Sequence, residues 1–325
     1  MTLVTGGTGF VGSHLLDQLS KTNQPFRCLT RHNSGSRALP AGVETVEASF
    51  ESGEGLDRAL DGITAVIHLA GVTKALRPAD YYTGNARASA LLAKAVAGQG
   101  IRLVHVSSLA AVGPSPDSTP VDEDFAPHPI SHYGKSKLEA EKAVRAAAPD
   151  AVIVRPPVVY GPRDTDVFRI LKPVARGYML QMGGGERYFS AIYVRDLVEG
   201  LLTARNHPAA AGRTYFLSHA DPLTWTALGN AAARIIFGAA DRTVRVVRVP
   251  ESLARLIGYG AEVASWIGRK PGIISRDKVA EARCRYWTCD PRRAAAEMGF
   301  TATTSLDGGM AETLAWYKEA GWLTY

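Results

Sequence analysis

Short apolar runs alternate with amphipathic stretches along the first half of the chain. Thr2–Thr5, Phe26–Thr30, Val43–Glu47, Ala65–Leu69, Arg102–Ser107 and Ala151–Arg155 have the length and composition of strands. Between them, His14–Leu19, Leu56–Leu60, Ala86–Ala97 and Lys135–Ala147 place apolar residues on one helical face. Short apolar strands alternating with helices belong in a parallel sheet covered on both faces. Right-handed crossovers then predict a doubly wound α/β domain over residues 1–155.

Past Arg155 the alternation breaks. Pro156-Pro157 and Gly161-Pro162 mark loops. Phe168–Arg176 reads as helix, Gly183-Gly184-Gly185 as a turn, and Ile192–Val194 as a short strand leading into a helix that runs to Ala204. A strand at Thr214–Leu217 follows, with helices over Thr226–Ile236, Glu251–Ile267, Arg292–Met298 and Leu306–Ala320. Residues 156–325 are therefore expected to form a smaller, less regular lobe that covers the substrate, with 190–204 returning to the first domain.

Composition narrows the class. The 325 residues are 46% hydrophobic and 21% charged, as in ordinary globular chains. No run of 18 apolar residues occurs, and a strand starting at residue 2 leaves no room for a signal peptide. Cys28, Cys284 and Cys289 are too few for a disulfide framework and lack zinc-site spacing. They are expected to be structural thiols in a reducing cytoplasm, with no metal. The +6 formal charge is dispersed, without a long Lys/Arg block, so nucleic acid is not an expected partner. An anionic dinucleotide accounts for part of the excess.

The candidate chemistry starts at Thr5-Gly6-Gly7-Thr8-Gly9-Phe10-Val11-Gly12, between the first strand and the first helix. Gly6 permits a tight turn, Gly9 lets a pyrophosphate approach the backbone, and Gly12 lets helix and strand pack closely. The helix N-terminus offers N–H groups and a positive dipole end to phosphates.

Farther on, Tyr133-Gly134-Lys135-Ser136-Lys137 puts Tyr133 and Lys137 on the same helical side. An ammonium beside a phenol stabilises the phenolate and lets it exchange a proton near neutral pH. Val106-Ser107-Ser108 ends the fifth strand, at the sheet edge where such folds bind ligands. A hydroxyl there can hold a substrate oxygen beside the tyrosine, or can merely cap a turn.

With these motifs in place the chain resembles the extended short-chain dehydrogenase/reductase family, the NAD(P)-dependent epimerase/dehydratase group, over nearly its whole length. The matching landmarks are Thr5–Gly12, His68-Leu69-Ala70-Gly71, Asn85, Val106-Ser107-Ser108, Tyr133–Lys137, Arg155-Pro156-Pro157, Val159-Tyr160-Gly161-Pro162 and Tyr193-Val194-Arg195-Asp196. The resemblance implies a Rossmann domain and a homodimer formed through helices Ala86–Ala97 and Lys135–Ala147. It implies Tyr133 as general acid or base, and Lys137 as the residue that binds the nicotinamide ribose and depresses the Tyr133 pKa. Counted back from Gly113, Ser108 falls at the family's catalytic serine position. Gly6, Thr8, Gly9, Phe10, Val11, Gly12, Leu69, Ala70, Gly71 and Pro156 would line the cofactor. His68 is expected to be a satisfied structural histidine. Asn85 either supports the active-site helices or caps the helix that follows it.

No Asp or Glu stands between Asp17 and Glu44, and Arg31 lies nineteen residues after Gly12. An acidic residue near this position would favour NAD. A guanidinium matches a 2′-phosphate, so NADP is favoured over NAD, with Arg37 near enough to assist.

Ser108-Leu109-Ala110 lacks the additional acid and base that the resemblance associates with dehydration. Arg187, before a late aromatic stretch, is a candidate diphosphate ligand, yet Ser190-Ala191 departs from the sugar-nucleotide epimerase pattern. The stretch Tyr160–Phe168, with Arg163 as a second candidate substrate contact, is closer to reductases and 3β-hydroxysteroid-dehydrogenase-like members. Ile257, Tyr259, Val263, Trp266 and Ile267 offer an apolar face for core packing, a substrate pocket or a membrane surface. The expectation is hydride exchange between the nicotinamide and a secondary alcohol or ketone. The alternatives are a sugar-nucleotide 4-epimerase and a non-catalytic cofactor sensor.

Overall fold

The computed structural model describes residues 1–31, 39–40, 42–253, 256, 268 and 276–325. The first half runs β1 (Thr2–Thr5), α1 (Phe10–Lys21), β2 (Phe26–Thr30), β3 (Glu44–Glu47), α2 (Leu56–Leu60) and β4 (Ala65–His68). A continuous helical segment follows: α3 (Pro78–Tyr81), a π-helical turn (Tyr82–Arg87) and α4 (Ala88–Val96). Then come β5 (Arg102–Val106), α5 (His132–Ala147) and β6 (Val152–Arg155).

The second half contains β7 (Val158–Tyr160), α6 (Asp166–Leu171), β8 (Tyr178–Met182), β9 (Tyr188–Phe189), β10 (Ala191–Tyr193), α7 (Val194–Asn206) and β11 (Thr214–Phe216). It continues with β12 (Leu223–Thr224), α8 (Trp225–Phe237), β13 (Arg245–Val249), α9 (Arg276–Arg283), β14 (Tyr286–Trp287), α10 (Arg292–Met298) and α11 (Leu306–Glu319).

Seven strands form one parallel sheet in the order β3-β2-β1-β4-β5-β6-β11. The order reverses between β1 and β4, and in this architecture dinucleotides bind at the carboxyl ends of the strands beside such a reversal. Side-chain alternation sends Leu3, Val66 and Leu103 to one face and Val4, Ile67 and Val104 to the other. The first face packs on α2, α4 and Val144 of α5. The second is covered by Leu15, Leu16 and Leu19 of α1, by α7, and by Ala294, Met298 and Phe300. Leu15, Leu16 and Leu19 are fully buried, and each contributes about 1.5–3 kcal/mol by leaving water.

Three contributions to the sheet come from the second half: α7, β11 and the segment 292–300. The remaining residues build a second core from Tyr160, Leu171, Phe189, Leu228, Leu314 and Tyr317. The parallel pair β8–β13 and the short sheet β12-β9-β14 flank this lobe and were not foreseen from periodicity. Helix boundaries also move: α5 starts at His132, three residues before Lys135, because the Ser131 hydroxyl caps Gly134 N. The segment read as one helix from Ala86 has a π turn at its start. Ile257, Tyr259, Val263, Trp266, Ile267 and Arg37 lie outside the described residues.

Candidate active site

The glycine turn is built by contact as well as conformation. Gly6 takes φ +74°, and a Cβ there would stand 2.6 Å from the Ala70 nitrogen. A Cβ on Gly12 would stand 2.2 Å from the Gly6 carbonyl oxygen, so α1 rests directly on the turn. Gly9 is exposed, and its N–H closes the turn onto Gly6 O at 3.0 Å. It is also the N-cap of α1, with no side chain capping the first N–H groups. Thr8, Phe10 and Val11 are partly exposed around this end. The arrangement fits a pyrophosphate: an open glycine face and uncapped helical donors. Gly7 also matters, since a Cβ there would meet Cys28 Sγ at 2.6 Å.

The ends of β1 and β4 are stitched together beside this turn. Thr5 Oγ1 lies 2.7 Å from His68 Nδ1 and accepts from Ala70 N at 3.2 Å. His68 Nε2 meets Ser89 Oγ at 2.9 Å, so both ring nitrogens are satisfied, and burial pulls the imidazole down to about 3. It is a neutral structural ring. Leu69, Ala70 and Gly71 follow it past the carboxyl end of β4. Arg31 follows Thr30 directly at the carboxyl end of β2, beside β1, and its side chain is exposed.

Asn85 is 1% exposed inside the π turn. Its Oδ1 accepts from Val72 N at 2.7 Å, and its Nδ2 donates to Val72 O at 3.0 Å and Ser136 Oγ at 2.9 Å. It therefore ties the loop after β4 to α5, and it does not cap α4. A Cβ on Gly71 would stand 2.8 Å from Asn85 Oδ1 and 3.7 Å from Lys137 Nζ. The loop beyond Gly71 crosses to the second lobe, where Lys74 Nζ meets Asp166 Oδ1 at 2.5 Å.

Tyr133 and Lys137 stand one turn apart on α5, and Ser108 stands at the end of β5. Ser108 is extended, and its hydroxyl accepts from Ala110 N at 3.1 Å, capping a short 3-10 turn. Leu109 N donates to Pro156 O at 2.9 Å, which anchors that turn to the end of β6. Gly134 lets α5 come close: a Cβ there would stand 2.2 Å from Ala110 O. The Ser108 hydroxyl thereby faces the Tyr133 phenol.

Burial raises the Tyr133 phenol above its ordinary value, and Ser108 and Lys278 oppose that rise. Lys137 is 5% exposed and donates from Nζ to the Val106 carbonyl at 2.8 Å. Burial pulls its own ammonium down to about 8, and Glu141, one turn farther along α5, opposes that fall.

The two candidate substrate arginines are engaged elsewhere. Arg163, at φ +73°, donates to Ser13 Oγ at 3.1 Å and pairs with Asp17 at 2.7 Å, clamping its loop onto α1. Arg187 is 8% exposed; it donates to Met182 O at 2.9 Å and Arg283 O at 2.5 Å and lies 3.6 Å from Glu251. Its fork holds the C-terminal end of α9 and is not turned toward a free anion. Sequence reasoning missed Gly134, Glu141 and the α9 residues near Tyr133. Glu141 had a usable signal, the eight-residue spacing from Tyr133 along one helical face.

A family model described as the NAD dependent epimerase/dehydratase family matches residues 2–217. The ceramide reductase of Caulobacter vibrioides is 31% identical over 325 residues, covering 98% of this chain and 95% of that protein. The UDP-glucose 4-epimerase of Azospirillum brasilense is 40% identical over 152 residues, 45% of this chain and 44% of its own. Among solved structures, MoeE5 in complex with UDP-glucose and NAD superposes with a TM-score of 0.76 at 24% identity, over 98% of this chain and 99% of that one.

Proposed function

The chain belongs to the NAD-dependent epimerase/dehydratase family, and we propose that within it the protein interconverts a secondary alcohol and a ketone on a substrate with a long apolar chain. It is an NAD(P)-dependent enzyme of the extended short-chain dehydrogenase/reductase type. The observation that carries the reading is the convergence of Ser108, Tyr133 and Lys137 at the carboxyl ends of β5 and β6, next to the glycine turn. The lipid character of the substrate is inferred from the likeness to a ceramide reductase along nearly the full length of both chains.

Bound nicotinamide would supply or accept the hydride. Gly6, Thr8, Gly9 and the first residues of α1 would hold the pyrophosphate, Leu69–Gly71 and Pro156 would line the dinucleotide, and Lys137 would hold the ribose. In reduction, Tyr133 donates its phenolic proton to the carbonyl oxygen as the carbon receives hydride; in oxidation, the phenolate takes the alcohol proton. Ser108 orients that oxygen by hydrogen bonding. A bound oxygen held between these groups needs no solvent rearrangement at the moment of transfer.

Arg31 supports a preference for NADP, because an exposed guanidinium at the end of β2 suits a 2′-phosphate. Pairing through α4 and α5 into a homodimer belongs to the same reading. Titration of cofactor-stripped protein with NADPH and NADH, followed by nicotinamide fluorescence, should give tighter binding of NADPH and a loss of that preference in Arg31→Ser. Tyr133→Phe should bind cofactor normally and lose turnover of long-chain ketones; near-normal turnover would sink the assignment.

A second reading, a sugar-nucleotide 4-epimerase, is favoured by the stronger local identity to a UDP-glucose 4-epimerase. It requires NAD retained through purification and turnover of a UDP-hexose without added cofactor.

A further inference from the structure

Two adjacent residues of α9 meet two adjacent residues at the start of α5. The Asp277 carboxylate accepts from His132 N at 2.7 Å, satisfying a backbone donor of the first turn of the catalytic helix. One residue on, Lys278 places Nζ 5.5 Å from the centroid of the Tyr133 ring, within the range at which an ammonium is attracted to an aromatic face. These contacts join segments separated by 145 positions. The helix that makes them is held at its far end, where Arg187 donates to Arg283 O and Trp287 Nε1 donates to Glu281 O at 2.9 Å.

We propose that Lys278 is a positioning residue of the second lobe that sets the proton affinity of Tyr133. The proposal rests on the reading of Tyr133 as the proton-transfer group. Lys137, one turn along the same helix, donates to the Val106 carbonyl, and Lys278 adds a second cation from another element, against the Tyr133 ring. The groups that face Tyr133 are Ser108 from the β5 loop, Tyr81 from α3, and Lys278 and Glu281 from α9. Ser108 and Lys278 favour the phenolate; Glu281 and Tyr81 favour the phenol. Glu281 also pairs with Lys278, at 2.8 Å, so α9 carries a cation and its partial counterweight to the same ring.

This arrangement ties the acidity of Tyr133 to the seating of the second lobe. With α9 docked, the ammonium lies against the ring and Asp277 holds the first turn of α5. With α9 displaced, the phenol would lose the cation that lies against its ring. Proton transfer would then be matched to the closed arrangement of the two lobes.

The test requires no substrate. Tyrosinate absorbance near 295 nm is recorded immediately after a pH jump, ahead of alkaline unfolding, and the Tyr133→Phe trace is subtracted to isolate Tyr133. The same subtraction is made in Lys278→Gln, Lys278→Arg and Glu281→Gln backgrounds. A unit charge about 6 Å away in a partly screened site changes an ionisation constant about tenfold. Lys278→Gln should lower the Tyr133 ionisation constant by that factor, Lys278→Arg should stay near wild type, and Glu281→Gln should raise it. The opposite sign in Glu281→Gln keeps the test decisive if Lys278→Gln does not fold. Unchanged constants, equal loss in the glutamine and arginine variants, or the same sign at 278 and 281 would overturn the proposal. Cofactor titration of the same proteins reports separately on the oxidoreductase reading.

Discussion

Glu141 and Arg155 form a two-pronged ion pair inside the molecule: Arg155 Nε donates to Glu141 Oε1 at 3.0 Å and Nη2 to Oε2 at 2.7 Å. Both side chains are less than a tenth exposed. Glu141 also supports the charge on Lys137, so the pair stands behind that residue as well as inside the fold. Removing one partner strands the other. Glu141→Ala is expected to cost about 3–5 kcal/mol in urea unfolding. The double replacement Glu141→Gln with Arg155→Met should cost less than the sum of the single ones, as a double-mutant cycle would show.

Lys137 should trade stability for function. Its ammonium, at about 8 in the folded protein against 10.5 ordinarily, is disfavoured by burial. The depressed value means that the unfolded chain binds the proton more tightly. The destabilisation is therefore full below about pH 8 and is relieved as pH rises from 8 to 10.5. Lys137→Met should raise the melting temperature at pH 7 while abolishing turnover, and its stability advantage should shrink across that alkaline window.

His68 and His105 should dominate acid sensitivity. His68 sits at about 3 against 6.5 ordinarily, and His105 is depressed in the same direction, in both cases mainly by burial. Between those values the unfolded chain takes up protons that the folded protein refuses. Stability is full above about pH 6.5 and is lost as pH falls toward 3. Urea midpoints measured from pH 7.5 downward should fall with a slope to which these two rings together contribute nearly two protons, His14 and His219 adding to it. Neither ring nitrogen of His105 has a hydrogen-bond partner. His105→Leu should remove one proton from that slope and leave stability at pH 7 equal or higher by about 1 kcal/mol.

Gly6→Ala tests the turn. A side chain at φ +74° is strained, and its Cβ would press on backbone at Ala70 that cannot yield cheaply. The expected result is a destabilisation of about 1–3 kcal/mol, together with at least tenfold weaker binding in an NADH fluorescence titration.

The parts legible in the sequence are those whose role is local. The inner strands of the first half show as apolar runs because the sheet is covered on both faces, whereas β3 (Glu44–Glu47) is a mostly exposed edge strand. The spacing of Tyr133 and Lys137 puts them on one helical face, and the place after a strand leaves Ser107 and Ser108 both open until the family resemblance selects Ser108. The β8–β13 pair was not legible: its partners are 67 positions apart at Tyr178 and Arg245, and Arg245 and Arg248 interrupt the apolar pattern. Arg187 looked like an anion ligand because sequence shows its charge and not the Met182 and Arg283 carbonyls around it. The proximity of Lys278 to Tyr133 carries no local mark, since it arises only when α9 docks on α5.

The order in which the chain supplies its parts has a consequence for synthesis on the ribosome. A nascent chain emerging through Arg155 holds six of the seven strands, with β6 left as an open edge until Thr214–Phe216 arrives. The sheet face that receives α7 and Phe300 stays partly uncovered for longer, because side chains as late as Phe300 and Ala302 pack on it. The N-terminal sheet thus cannot mature ahead of the rest, and a stalled or truncated chain presents both an unpaired strand and a bare apolar surface, the two features that recruit chaperones and seed aggregation.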